Sequence, residues 1–270
     1  MKIAPLAILC AAALPLAARA DVLLDESFAY PNGWITDVSG GQWTVHSPSP
    51  AASNLVVNAG MAIINQGDTA GGRDDAARLL SSPVDPSVDN TTKLYAALTV
   101  SFSALPAENG ASVGSYFAHF KSSAANEFYG RLGASTAGAA AGSFRVGIGS
   151  ETWGTATVFA PQDLSLNTTY NLVIRYDLDA DRATLWVNPA DESSPSVTST
   201  DAPSYSPGTI NAFALRQGTS AVSGNNGAPG VLAVDNLRVA TTFAQAVPEP
   251  GGAMLALLGG GLVWLLRRRA

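Results

Sequence analysis

Cysteine is almost missing from this 270-residue chain, occurring once, and histidine occurs twice. Charged residues make up 13% of it, about half the ~25% of an ordinary globular protein. A single Cys10 excludes an internal disulfide scaffold. A zinc site with more than one imidazole would have to unite His46 with His119, far apart in the chain. Cations are scarce too: 15 Lys and Arg stand against 21 Asp and Glu, a net charge of −6. Five of those cations (Lys2, Arg19, Arg267, Arg268 and Arg269) fall in the first and last twenty residues. Residues 21–250 therefore hold 10 basic and 21 acidic side chains, a net charge of −11. Such a domain repels polyanions, which excludes nucleic acid as a partner. It also disfavours an acidic polysaccharide unless calcium bridges the two.

Apolar sequence is concentrated at the ends. Met1-Lys2 precedes an apolar run from Ile3 to Ala17 and the small-residue site Ala18-Arg19-Ala20. One cation, a short hydrophobic stretch and an A-x-A site describe a secretory signal peptide over 1–20, cleaved before Asp21. The run is short for a membrane anchor, and Pro5 and Pro15 interrupt it. Cleavage would discard Cys10 and leave an exported, thiol-free domain that relies on its core. At the other end Val247-Pro248-Glu249-Pro250 leads into Gly251-Gly252, an apolar run from Ala253 to Leu266, and Arg267-Arg268-Arg269. A helix over that run would span roughly 21 Å at 1.5 Å per residue, short of a ~30 Å hydrocarbon core. The arginines would stay on the cytoplasmic side and leave residues 21–250 outside.

In its tripeptide, short Gly-containing helix and terminal Arg cluster, the segment 247–270 resembles a PEP-CTERM sorting signal. The resemblance implies a Gram-negative bacterium and transient residence in the inner membrane. It also implies an exosortase-type membrane protease as partner, cutting near Pro248-Glu249-Pro250. The product would stay at the cell surface or leave it, in the setting of exopolysaccharide and biofilm.

Between the ends a period of two dominates. Leu94, Ala96, Leu98, Val100 and Phe102 alternate with Tyr95, Ala97, Thr99 and Ser101. Phe144, Val146 and Ile148 form a second such set, and Tyr170, Leu172, Ile174 and Tyr176 a third. Leu185 with Val187, and Val231, Ala233 and Leu237 on one side of a last run, complete the pattern. Gly, Pro, Asn, Asp and Ser clusters separate the runs, as turns require. Many short strands without intervening helices predict one all-β sandwich over 21–246. The only stretch with a helical look is Arg73 to Leu80.

Three stretches of the middle carry a second resemblance. Leu23-Leu24-Asp25-Glu26-Ser27-Phe28-Ala29-Tyr30-Pro31 with Gly33 and Trp34 is similar to the opening of laminin-G-like, concanavalin A-like jelly rolls. The hairpin Tyr170–Asp177 with Ala183–Pro189 is similar to their central pair, and Val234–Val239 to their last strand. The resemblance implies that Leu23–Phe28 lies beside Leu232–Val239 and that Asp177–Arg182 turns between two long antiparallel strands.

Little in the middle points to catalysis. The E-x-D-x-x-E pattern of sandwich glycoside hydrolases does not occur, and the adjacent Asp25 and Glu26 would face opposite ways on a strand. Glu151, near Trp153, has no carboxylate partner within four residues. Asp177, Asp179 and Asp181 form D-x-D-x-D, which reads as a calcium ligand set or as a hairpin turn held by Asx hydrogen bonds. The loop lacks the Gly and the bidentate Glu of an EF-hand, with Arg182 and Asn188 in their places. No cofactor is required. His119 alternates with Phe117 and Lys121 and reads as a surface strand residue. Trp153 and Trp186 are candidates for stacking on sugar rings, Trp186 with Tyr95 or Arg175 beside it, while Trp34 reads as core. These features predict a non-catalytic exported surface protein, with a lectin-like carbohydrate-binding module as the alternative and a glycoside hydrolase behind both.

Overall fold

A computed structural model describes residues 21–47, 55–66, 73–88, 92–107, 114–123, 127–154, 156–202, 208–217 and 228–247. Ala18, Ala20, Pro248-Glu249-Pro250, the run Ala253 to Leu266 and Arg267–Arg269 lie outside the described residues. Among those described, no helix is long and apolar enough to cross a membrane.

The alternating runs build two antiparallel sheets. One contains β1 (Val22–Glu26), β2 (Gly33–Trp34), β4 (Val56–Asn58), β5 (Met61–Gln66), β7 (Lys93–Ala104), β13 (Thr169–Asp177), β14 (Arg182–Val187), β15 (Ser196–Thr198) and β17 (Gly230–Ala240). The other contains β3 (Trp43–Ser47), β6 (Asp75–Val84), β8 (Ser115–Ser122), β9 (Phe128–Ser135), β10 (Ser143–Gly149), β11 (Val158–Phe159), β12 (Leu164–Ser165) and β16 (Ile210–Leu215). Two single-turn helices, α1 (Ile35–Val38) and α2 (Phe243–Ala246), complete the elements. Neighbouring strands are mostly distant in sequence, such as β7 between β13 and β17, and β16 between β6 and β8. Such crossovers make the protein an all-β, jelly-roll sandwich.

One face of each sheet is apolar because side chains alternate across the pleat. Leu94, Ala96, Leu98, Val100 and Phe102 of β7, Phe144, Val146 and Ile148 of β10, and Leu172, Ile174 and Tyr176 of β13 are all buried and share one hydrophobic cluster. Phe102 packs on Phe144 with centroids 4.3 Å apart, and Phe120 meets Phe213 edge-on at 5.3 Å. The first and last long strands pair, Val22 with Ala240 and Glu26 with Leu237. The hairpin closes with Asp177 opposite Arg182.

Three expectations need correction. Residues 75–84 form β6, not a helix: β3 and β16 flank this strand, and their ladders override the helix preference of its Ala, Arg and Leu. In β17, Leu232, Val234, Leu237 and Val239 face the core, while Val231 and Ala233 turn away. The switch in parity comes from a bulge between Asp235 and Arg238, where Asn236 takes φ +50°. Trp34 is 53% exposed; the core position belongs to Trp43, whose indole N–H donates to Glu26 at 2.8 Å.

Candidate functional site

The outer face of the eight-stranded sheet collects most of the chain's unusual chemistry. Tyr116, His119 and Lys121 leave β8 on that side, Phe128 and Arg131 leave β9, and His46 leaves β3. Arg216 follows β16 and bends over Tyr116, its guanidinium carbon 4.3 Å from the ring centroid. Arg131 lies 4.9 Å from the same ring and 5.4 Å from that of Phe128. Stacking of this kind orients a guanidinium without neutralising it. Arg216 also donates to Ser115 Oγ at 2.8 Å.

His119 is the centre of this group and is fully buried, not exposed as its alternation with Phe117 and Lys121 predicts. Its ring stands 4.5 Å from Phe128, 5.6 Å from Tyr116 and 5.7 Å from His46. The chain thus unites its only two histidines after all. Neither His119 nitrogen has a hydrogen-bond partner, and Arg131 Nε, also buried, lacks one too. Burial pushes the His119 pKa well below the ordinary 6.5, and the positive charges of His46, Arg131, Arg216 and Lys121 push it the same way. Burial, then Lys121 and Arg216, brings His46 down to about 4. Both rings are therefore neutral near pH 7.

A second loop supplies the far end of the face. Asp201 accepts the backbone N–H groups of Ser150, Glu151 and Thr152 at 2.8, 2.9 and 3.0 Å, and the Thr152 hydroxyl at 3.1 Å. Burial pushes the Asp201 carboxyl up, but these donors outweigh it and hold the group below the usual carboxylate range. The anchored loop lays Trp153 over Gly133 and Phe159 over Gly147. A Cβ at Gly133 would come within 2.3 Å of the Trp153 ring, and one at Gly147 within 2.7 Å of Phe159. Glycine inside these strands marks the close approach of a ring. Trp153 then faces Tyr116 at 6.3 Å and Phe159 at 5.9 Å.

The other predicted site residues go elsewhere. Trp186 is 3% exposed, on the outer face of the nine-stranded sheet, where Phe243 of α2 packs edge-on against it at 5.6 Å. Arg175 does lie over Trp186, 5.6 Å from its ring, and Tyr95 joins the same cluster. Phe243, however, covers the indole, so no face is left for a sugar. Val247 packs on this cluster. Asp177, Asp179 and Asp181 do not converge, and no group of three metal-ligating side chains forms among the described residues. Asp177 accepts the Ala180 N–H at 3.0 Å and so holds the turn. Asp181, at φ +50°, turns inward and accepts a hydrogen bond from Tyr176. Asp179 is exposed.

Potential hydrolytic groups are equally committed. Glu26 is buried and accepts from Phe28 N–H, Tyr30, Trp43 and Arg78, while Asp25 faces outward to Arg238 at 3.3 Å. Glu151 is 1% exposed and its charge bears on the buried Tyr176. A G-x-S-x-G string does occur from Gly110 to Gly114, and its Ser112 lies outside the described residues. It leads into the strand β8, whereas a nucleophile elbow needs a helix there. A groove of about 300 Å³ between β1 and β6 has Asp25 and Arg78 as its charged groups, both already ion-paired.

No protein-family model and no curated protein matches this chain. Several solved structures resemble it at low identity. The CBM2 module of the Lactobacillus casei BL23 phage J-1 evolved Dit shares 13% identity over 82% of this chain and 95% of its own, with a TM-score of 0.47. The alginate lyase Aly36B shares 15% over 80% of this chain and 95% of its own, at 0.46. A Lotus tetragonolobus seed lectin shares 10% over 82% of this chain and 97% of its own, at 0.44. At such values neither binding nor catalysis carries over from them.

Proposed function

We propose that this chain is an exported, non-catalytic surface protein whose sandwich binds carbohydrate. The signal peptide over 1–20 starts export. The tail 247–270 delivers the domain through the inner membrane to an exosortase-type protease, and the mature protein resides within exopolysaccharide. One observation carries the binding reading: the aromatic row of Phe128, Tyr116, Trp153 and Phe159 along the outer face of one sheet, none of the four fully buried. Saccharides pack their C–H faces on such rings, while polar arms between them fix orientation. Arg131, over Tyr116 and Phe128, and Arg216, over Tyr116, supply those arms. The carboxylates beside this row, Glu151 and Asp201, are buried and Asp201 is taken up by backbone N–H groups, which supports a binding role over hydrolysis.

Tryptophan fluorescence titration of the purified protein against a panel of polysaccharides tests this reading. Saturable binding that weakens about tenfold in Trp153→Ala, a loss of about 1.4 kcal/mol, is the expected result. Binding unaffected by that change, or none to any glycan, overturns it. Mass spectrometry of the mature product tests the sorting step, and an intact Arg267–Arg269 terminus would refute processing.

A further inference from the structure

The aromatic row says that a saccharide can lie on the eight-stranded sheet; its electrostatics say which kind. Three cations and two imidazoles converge here in a domain of net charge −11. Elsewhere among the described residues five cations are ion-paired, Arg78 with Glu26, Lys93 with Asp177 at 4.0 Å, Arg145 with Asp163 at 2.6 Å, Arg238 with Asp25 and Arg175 with Glu192 at 3.5 Å, while Arg182 donates to the Asp201 carbonyl. Arg131 and Arg216 have no carboxylate in ion-pair range among the described residues; their neighbours are rings, a hydroxyl and backbone carbonyl oxygen. Lys121 is the partial exception, since it feels Glu127 and donates to the Ser122 carbonyl at 2.8 Å. Between the two arginines lies Tyr116, and beneath them a fully buried His119 with both nitrogens unpartnered. Unpaired buried polar groups are costly, and a protein keeps them where something else relieves the cost. A metal would not, because Lys121, Arg131 and Arg216 oppose a further positive charge.

We infer that the ligand of this face is an anionic saccharide, its carboxylate or sulfate held between Arg131 and Arg216 above His119. This rests on the carbohydrate-binding reading and names the ligand class. Planar guanidiniums stacked on rings present their N–H edges in the geometry that carboxylate and sulfate oxygens accept. The sugar ring then lies along Trp153, because the Tyr116 ring is taken by the two guanidiniums. Burial first, and repulsion from the cations second, keep His119 and His46 neutral, and a bound anion offsets the second. The remaining charged groups around those rings are Lys121, Arg131 and Arg216. Binding therefore takes up protons at the imidazoles and tightens as pH falls.

Calorimetry with the purified protein and three glycans of matched length tests this: oligogalacturonate, dextran sulfate and uncharged dextran. The expected result is binding to at least one charged glycan, weaker in added salt and tighter at pH 5.5 than at 7.5, with dextran at least tenfold weaker. Arg131→Gln and Arg216→Gln should each lose about tenfold with unchanged melting temperature, and Arg131→Lys less, since it keeps charge but loses the fork. Circular dichroism melts of each variant separate loss of binding from loss of fold. Dextran binding as tightly as the charged glycans, or charged-glycan binding that survives the Arg131→Gln/Arg216→Gln pair, overturns the inference and leaves carbohydrate binding standing. Binding to none of the three overturns the inference, and silence of the whole polysaccharide panel as well overturns both.

Discussion

The outer faces of the two sheets use the same device to opposite ends. On the nine-stranded sheet, Arg175 lies over Trp186 and beside Tyr95; on the eight-stranded sheet, Arg131 and Arg216 lie over Tyr116. The first set is closed. Glu192 accepts from Tyr95 at 2.6 Å and from Arg175, and α2 lays Phe243 over both rings. Burial, helped by Glu192, pushes the Tyr95 hydroxyl up to about 12. On the second face Arg131 and Arg216 have no carboxylate in ion-pair range among the described residues, and two neutral imidazoles lie beneath them. A guanidinium on an aromatic ring is thus not in itself a binding signature. What decides is whether a carboxylate and a cover finish the arrangement.

Four experiments strain this contrast. Trp186→Ala removes a buried indole from the covered face and should cost about 3–5 kcal/mol, or about 6–20 °C in Tm for a domain of this size. Glycan affinity should not change; lost affinity with an unchanged melt would place the binding platform on the wrong sheet here. Next comes acid. Both imidazoles have folded-state pKa values below 6.5, so as pH falls the unfolded chain takes up protons first. Stability is full above pH 6.5 and declines toward about 4, by on the order of 3 kcal/mol for His46. Urea melts at pH 7 and 4.5 read this, and His46→Gln/His119→Gln should flatten the difference; a wild type indifferent to pH in that window would contradict the buried neutral pair. Gly133→Ala drives a methyl into Trp153 and the Ser115 carbonyl and should cost about 1–3 kcal/mol. A shifted indole emission would accompany it, and a neutral outcome would mean that Trp153 does not rest on this strand. Smallest is Glu192→Gln, at most about 1 kcal/mol because the pair is exposed. A larger drop in Tm would make the carboxylate, and not α2, the main closure of that face.

Strand alternation was legible because each core residue from Leu94 to Phe102 obeys a local rule, a period of two on a half-buried strand. The pairing of the first and last strands and the Asp177–Arg182 turn followed from family resemblance, and the ladders agree. The failures share a cause, which is partners distant in sequence. Arg73–Leu80 has local helix preference, yet β3 and β16 decide its form. His119 alternates like a surface residue, but Phe128 of β9 and His46 of β3 join Tyr116 of its own strand to bury it. Trp186 looked available until a turn of helix some sixty residues later covered it. One local signal for the site was present and unused: the in-strand glycines Gly133 and Gly147, which mark where Trp153 and Phe159 come down.

The β1–β17 pairing has a kinetic side. Asp21 N–H donates to Thr241 Oγ1 at 3.0 Å, and the Thr241 N–H returns a bond to the Asp21 carbonyl at 3.0 Å, joining positions 220 residues apart. A chain made from its amino end therefore releases β1 first and its ladder partner among the described strands last. Until β17 emerges, that strand cannot be satisfied, and the Glu26 hub that binds it to Trp43 and Arg78 has half its frame. Loop closure over such a separation is slow, so the polypeptide stays threadable for most of its synthesis.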